Sequence, residues 1–240
     1  MKIRIDKLLS NLGYGTRSEV HKYIKNGYVL INGEILKDQG YRVDTEQDII
    51  VFDDEIVEYQ EYFYFMLNKP AGYITAVQGQ EPVVMDLIEE KIKGLFPCGR
   101  LDKDTTGLLL ITNDGPLAHQ LLSPRYETEK EYVVNTRDRI DQDQVRRIEL
   151  GITLGDGTRY RPAKITDIQN NSCHITVTEG QYHEVKNMFL AVGNEVVQLK
   201  RIRMKNLILD ESLAEGEYRP LSEEEVHSLK TYWKAGHQAG

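Results

Sequence analysis

Two carboxylates two positions apart stand just before an apolar run in GRLDKDTTGLLLITNDG, residues 99–115. On an extended backbone Asp102 and Asp104 would share a face, roughly 6.6 Å apart at ~3.3 Å per residue. That is the lower edge of the roughly 6.5–9.5 Å separation at which two carboxyls act as acid and base on a glycosidic bond. The same pair also suits plain loop work, because Asp stabilises turns by bonding nearby backbone. Spacing alone leaves both readings open. Arg100 stands in front of the pair, and Asn113-Asp114-Gly115 turns the chain after it.

Positioning such a pair takes a scaffold, and the residues around it supply one. GLLLIT is too short for a free helix and reads as a buried strand. Pro116 is placed to open a helix over LAHQLLS. Before the pair, FYFMLNKPAGYIT reads as a strand, a Lys69-Pro70-Ala71-Gly72 turn and more strand, and DLIEEKI as a short helix. After it, KEYVVNT and KITDIQNNSCHITVTEG read as strands, EVKNMFLAVG as a helix and EVVQLKRIRMKNLIL as strand-rich. Strands and helices mix without regular βαβ alternation, so the predicted class is α+β with a mixed, mostly antiparallel sheet.

The first sixty residues read as a separate small unit. Ile5, Leu8, Leu9 and Leu12 recur at helical spacing before Gly13, and Thr16-Arg17-Ser18-Glu19 has the form of a capping box opening a second helix. YVLI, Asn32-Gly33 and EIL form a hairpin signal, and DIIVFD a further strand. The acidic stretch 53–62 reads as a linker, which gives a domain 1–58 and a domain 60–240.

A net charge of −8 hides an uneven distribution. Residues 1–28 carry six basic side chains against Asp6 and Glu19, and Arg4, Lys7, Arg17, Lys22 and Lys25 are expected on one helical face. LKRIRMKN, residues 199–206, holds Lys200, Arg201, Arg203 and Lys205 with no acid. Both clusters are candidate nucleic-acid surfaces, since local charge matters more than its sum. Cys98 and Cys173 form no CxxC pair and have no His cluster nearby, which argues against a zinc site and a disulfide scaffold and fits a reducing cytosol. The start lacks an unbroken apolar core, and no run approaches the ~18 residues of a membrane span. A soluble cytoplasmic protein without membrane contact is expected.

RIDKLLSNLGYGTRSEVHKYIKNGYVLING resembles the alpha-L RNA-binding motif, which implies RNA binding but no chemistry. NKPAGY, GRLDKDTTGLLLITNDG, KEYVV and EGQYHEVK, in that order, closely resemble the ribosomal RNA branch of the pseudouridine synthases, over residues 3 to about 226. The resemblance implies isomerisation of uridine to pseudouridine with no cofactor and no metal. Asp102 occupies the position of the catalytic aspartate, Tyr132 that of the tyrosine packing on the uracil, and Lys186 that of the aspartate's basic partner. Arg100 matches the motif arginine, and Asp104 becomes a supporting residue of the loop. A nearby Lys⁺ favours an ionised carboxylate, the form needed for nucleophilic or base work.

Three positions depart from the family pattern. Gln181 and Asn187 stand where bases are common and Glu184 where Gln is common, which puts phosphate contacts from this helix in doubt. His183 is a candidate switch or a plain hydrogen-bonding residue. The layout is similar to the RsuA family, implying 16S rRNA, or an assembly intermediate containing it, as partner, with the uridine at position 516 as target and a monomer as the acting form. A 23S rRNA target, a non-catalytic ribosome-assembly protein and a sugar hydrolase using the Asp pair are the alternatives.

Overall fold

In this computed structural model, which describes residues 2–235, the chain begins with β1 (Lys2–Arg4) and α1 (Ile5–Asn11). There follow α2 (Arg17–Lys25), β2 (Val29–Ile31), β3 (Glu34–Ile35), β4 (Arg42–Asp44), β5 (Ile50–Phe52) and β6 (Glu55–Ile56). These elements lie in a unit formed by Met1–Phe63 with Glu89–Leu95. Gly13 follows α1 at φ +88°, a conformation that costs an L side chain dearly. The Thr16 hydroxyl accepts from the Glu19 amide while the Glu19 carboxylate accepts from the Thr16 amide, which completes the capping box. Asn32 and Gly33, both at positive φ, make the two-residue turn that sets β2 against β3 with Ile31 opposite Glu34. Leu8, Leu9, Val20, Ile24, Val29 and Ile50 close the core of this unit.

Two expectations for this region need correction. The stretch 53–62 is no simple linker. Asp53 and Asp54 turn the chain into β6, Val57 enters the core and Tyr59 packs against it, because EIVEY carries apolar residues at alternate positions. Arg4 is the last residue of β1, not a helical one, and its guanidinium is held on Asp6 at 2.8 Å.

The second unit, Tyr64–Ile88 with Phe96–Gly240, is built on one large sheet. Its strands are β7 (Tyr64–Lys69), β8 (Phe96–Pro97), β9 (Thr106–Thr112), β10 (Lys130–Thr136), β13 (Lys164–Gln169), β14 (Ser172–Val177), β15 (Val196–Met204), β16 (Leu207–Ile208) and β17 (Tyr218–Pro220). The order is β13-β14-β10-β15-β9-β7-β17, with β16 added to β15 and β8 to β9. Every pairing is antiparallel except β9 with β15. A separate two-stranded ribbon joins β11 (Ile152–Thr153) to β12 (Arg159–Tyr160). The helices are α3 (Gly115–Leu122), α4 (Gln142–Glu149), α5 (Glu184–Ala191) and α6 (Glu223–Ala235).

The parallel crossing depends on one glycine. Gly107 faces Arg201 across it at φ +98°, and a Cβ there would lie 2.2 Å from the Arg201 carbonyl oxygen. No residue with a side chain permits that approach. β9 is buried from Gly107 to Thr112, which explains its continuous apolar run.

Here too the sequence expectations are corrected in places. DLIEEKI is not an α-helix: only a 3-10 turn, Val84–Leu87, forms, with the Asp86 carboxylate accepting from the Val83 amide. The strand expected after Gly72 is reduced to one bridge, Ile74 to Val83. No helix among the described residues is long and apolar enough to cross a membrane.

Candidate active site

The loop between β8 and β9 carries Arg100, Asp102 and Asp104, and it is clamped from below. Lys69, fully buried at the end of β7, donates from Nζ to the carbonyls of Pro70, Lys103 and Thr105 at 3.0, 3.3 and 2.8 Å. Burial lowers its pKa to about 8, with Asp104 and Asp102 pulling the other way. Thr75 Oγ1 donates to the Leu101 carbonyl and accepts from the Leu101 amide, while the Gly72 amide bonds the Lys103 carbonyl. With its backbone tied on both sides, the loop presents Asp102 and Asp104 in a fixed register.

Lys186, in the first turn of α5, meets both carboxylates. Its Nζ lies 3.0 Å from Asp102 Oδ2 and 2.6 Å from Asp104 Oδ1. Burial acts against the ammonium, but the hydrogen bonds to Asp104 and Asp102 hold its pKa above the usual lysine value. The two acids differ in setting: Asp102 is 28% exposed and Asp104 74% exposed. Burial works against the Asp104 charge, yet the Lys186 hydrogen bond keeps its pKa below the usual range. On its other oxygen Asp102 faces His183 Nε2 at 3.5 Å. His183 occupies the position just before α5 in the left-handed region, at φ +50°, and its side chain makes no capping bond to the helix.

Asp102 opens onto a cavity of about 330 Å³, at the small end of ligand sites and suited to one nucleotide. Tyr132 lines it from β10, where the strand register sets it opposite Arg201 on β15 and Ile175 on β14. Arg100 and Lys186 also line it. The structure therefore brings Asp102, Arg100, Tyr132 and Lys186 to one cavity.

Four further cavity residues were not singled out from sequence as pocket groups. Lys130 is buried, bonds the Thr128 and Glu179 carbonyls, and is brought down to about 8 by burial and by Arg201. Glu184 is 5% exposed, and burial, with Glu179 adding, pushes its carboxyl up to about 7. Arg201, 2% exposed, donates from Nε to the Leu108 carbonyl, while its Nη2 has no partner among the described residues. Thr105 Oγ1 is another buried cavity-side atom without a described partner. For Lys130 and Arg201 the signal in the sequence is a charged residue inside a strand, whereas Glu184 and Thr105 carry no such signal.

LKRIRMKN is accordingly not the exposed basic patch expected. Arg201 is interior and Lys205 is buried, its pKa lowered to about 8 by burial. Arg203 is held by Glu131 at 2.7 Å and Glu129 at 3.1 Å, and Lys200 is half-buried. On β15 Leu199 and Arg201 share the inward face, and a register shift beyond Arg201 leaves Arg203 only half-buried. Lys7, Arg17, Lys22 and Lys25 are exposed on α1 and α2. The three departures near α5 are engaged internally: Gln181 donates to the Arg159 carbonyl, Asn187 to the Tyr160 hydroxyl, and Glu184 faces the cavity. Both cysteines are free and buried, and burial pushes Cys98 up to about 11 and Cys173 up to about 12. Among the described residues no cluster of His, Cys, Asp or Glu is arranged to hold a metal ion.

Residues 63–191, which include the Asp102 loop, Tyr132 and Lys186, match the model of the RNA pseudouridylate synthases. The chain belongs to that family. It is an RNA-directed isomerase, and residues 3–50 match the S4 domain. Among its relatives is an uncharacterized RNA pseudouridine synthase, YtzG of Bacillus subtilis, 45% identical over 95% of this chain and 98% of that one. Ribosomal small subunit pseudouridine synthase A of Haemophilus influenzae is 40% identical, covering 95% and 99%. Its Escherichia coli K12 counterpart is 36% identical, covering 95% and 100%. A crystal structure of a pseudouridylate synthase, 39% identical, superposes with a TM-score of 0.67 over 95% of this chain and 99% of that chain.

Proposed function

We propose that this pseudouridine synthase acts on small-subunit ribosomal RNA, at the uridine equivalent to position 516 of 16S rRNA, with Asp102 as its catalytic residue. The observation that carries the reading is the Asp102 carboxylate at the wall of a one-nucleotide cavity, 3.0 Å from the Lys186 ammonium. Support for the substrate comes from relatives named for the small subunit, which match this chain nearly end to end.

In the reaction the N1–C1′ bond of uridine breaks, the uracil turns, and a C5–C1′ bond forms; the C5 proton leaves and N1 regains one. The atoms balance without an external oxidant or reductant. A uridine in folded RNA must first leave its stack, at a cost of a few kcal/mol, and the cavity replaces that stacking with the face of Tyr132. Lys186, 3.0 Å away, holds the Asp102 carboxylate at the cavity wall, where it can attack or take a proton. Thr105 Oγ1 and Arg201 Nη2 offer polar atoms to the flipped nucleotide, which would otherwise remain buried without partners. Asp104 holds Lys186 from the solvent side. Lys7, Arg17, Lys22 and Lys25 serve as phosphate contacts of the S4 domain.

Mapping pseudouridine in 16S and 23S rRNA from cells lacking this protein tests the reading. Loss of a single 16S site that returns with the intact gene is the expected result. Loss of a 23S site, or no loss, would overturn the substrate assignment.

A further inference from the structure

A tyrosine with nothing to bury normally lies along the surface it sits on, covering apolar area. Tyr182 does otherwise: it is 79% exposed, and its ring is stacked on the His183 imidazole with centroids 3.8 Å apart and planes 16° from parallel. His183 covers one ring face, and the exposure leaves the other open. Tyr182 does not line the cavity, but His183 does, with Nε2 3.5 Å from Asp102. The plate therefore stands immediately outside the rim of the pocket.

Its backbone is held firmly. Asn187 Nδ2 donates to the Tyr182 carbonyl at 3.3 Å and the Tyr160 hydroxyl to the same oxygen at 3.5 Å. One residue earlier, Gln181 Nε2 is anchored on the Arg159 carbonyl at 2.9 Å and on Glu179 at 3.2 Å. An exposed aromatic on a pinned loop loses little freedom when something stacks on it, so the platform is preorganised.

The occupant follows from what happens at the pocket. Drawing one base into the cavity leaves its neighbour in the strand with a bare π-face, and a planar aromatic 3.8 Å above an imidazole just outside the rim fits that face. Arg100, exposed and also on the rim, is positioned for the connecting phosphate. We propose that Tyr182, backed by His183, is a stacking platform for the nucleobase adjacent to the flipped uridine. It is sequence-tolerant, because every base has a π-face, and it holds the strand while the target is out of the stack. The inference rests on the pocket reading given above, and it makes Tyr182 a substrate-holding residue rather than a participant in bond changes.

The test measures binding separately from turnover. Dissociation constants of the full-length chain for a single-stranded RNA containing one uridine, with 2-aminopurine beside it, are taken across a salt series for wild type, Tyr182→Ala, Tyr182→Leu and Tyr182→Phe. Because Tyr182 is exposed, all four are expected to keep their melting temperatures. Tyr182→Ala and Tyr182→Leu should weaken binding by about tenfold. The slope against log salt should stay unchanged, since stacking releases no counterions. Tyr182→Phe should bind like wild type. The 2-aminopurine emission should be quenched in the wild-type and Phe complexes and bright in the other two. Equal affinity and emission for all four would overturn the platform. So would a change in salt slope, or a Phe variant as weak as Ala. Failure of the chain to form pseudouridine would sink the catalytic reading without touching these binding results.

Discussion

The S4 domain and the synthase domain both carry runs of positive charge, and the runs behave in opposite ways. On α1 and α2 the cations Lys7, Arg17, Lys22 and Lys25 stand in solvent, because those helices bury only one stripe and leave the rest outside. In the synthase domain Lys69, Lys130, Arg201 and Lys205 sit on or beside central strands and are nearly inaccessible. Lys69 and Lys130 spend their donors on backbone carbonyls that shape the pocket. A count of basic residues thus distinguishes nothing until the element under it is known. Surface cations set affinity for a polyanion, whereas interior cations fix loops and supply the polar lining of a cavity.

The most severe way to probe that contrast is to truncate one cation of each kind. Arg201→Ala empties a buried site and strips the Leu108 carbonyl of its donor, so unfolding in urea should show a loss of roughly 2–4 kcal/mol. Lys22→Ala should stay within about 0.5 kcal/mol of wild type in the same assay. Comparable losses would erase the distinction.

Interior charge also brings pH dependence that surface charge lacks. Glu184 titrates at about 7 in the fold against a usual 4.5, so the unfolded chain gives up this proton first. Stability attached to it is fully present below about pH 4.5 and is lost as pH rises through about 7. Lys130 on β10 eases the buried anion and Glu179 opposes it. Glu184→Gln removes the titration, and its stability relative to wild type should rise by about 1–3 kcal/mol between pH 4.5 and pH 8 in denaturant melts. A pH-independent difference would place Glu184 in a solvated setting.

The gentlest perturbation concerns the surface set. Replacing Lys7, Arg17, Lys22 and Lys25 together by Gln should leave the melting temperature almost unchanged. It should also lower the slope of log affinity for ribosomal RNA against log salt by roughly 3, at about 0.7–0.9 per lost phosphate contact. An unaltered slope would reduce these residues to a solvated face.

Much of this organisation is legible in the sequence where a local rule decides the outcome. Asn32-Gly33 dictates its hairpin, Thr16 and Glu19 their cap, and the unbroken apolar run of β9 its burial on both faces. Asp102 and Lys186 could be paired only through a resemblance, since 84 residues separate them and nothing local joins them. Three features stayed hidden for physical reasons. The α4 helix buries just Val145 and Ile148, too thin an apolar stripe to stand out in QDQVRRIE. The burial of Arg201 follows from the β9–β15 crossing at Gly107, a long-range event. The dual contact of Lys186 with Asp102 and Asp104 depends on a loop conformation set by Lys69 and Thr75.

That shared contact makes the two aspartates the sharpest test of the whole account. Wild type, Asp102→Asn and Asp104→Asn are each incubated with small-subunit RNA, and uridine is compared with its mass-neutral isomer by chromatography of the digested product. Asp102→Asn should form no pseudouridine while binding RNA nearly as well as wild type, and Asp104→Asn should retain measurable turnover because its carboxylate only steadies Lys186. Equal loss from both substitutions, or free uracil with an abasic site as product, would contradict a single catalytic aspartate and restore the paired-carboxylate hydrolase.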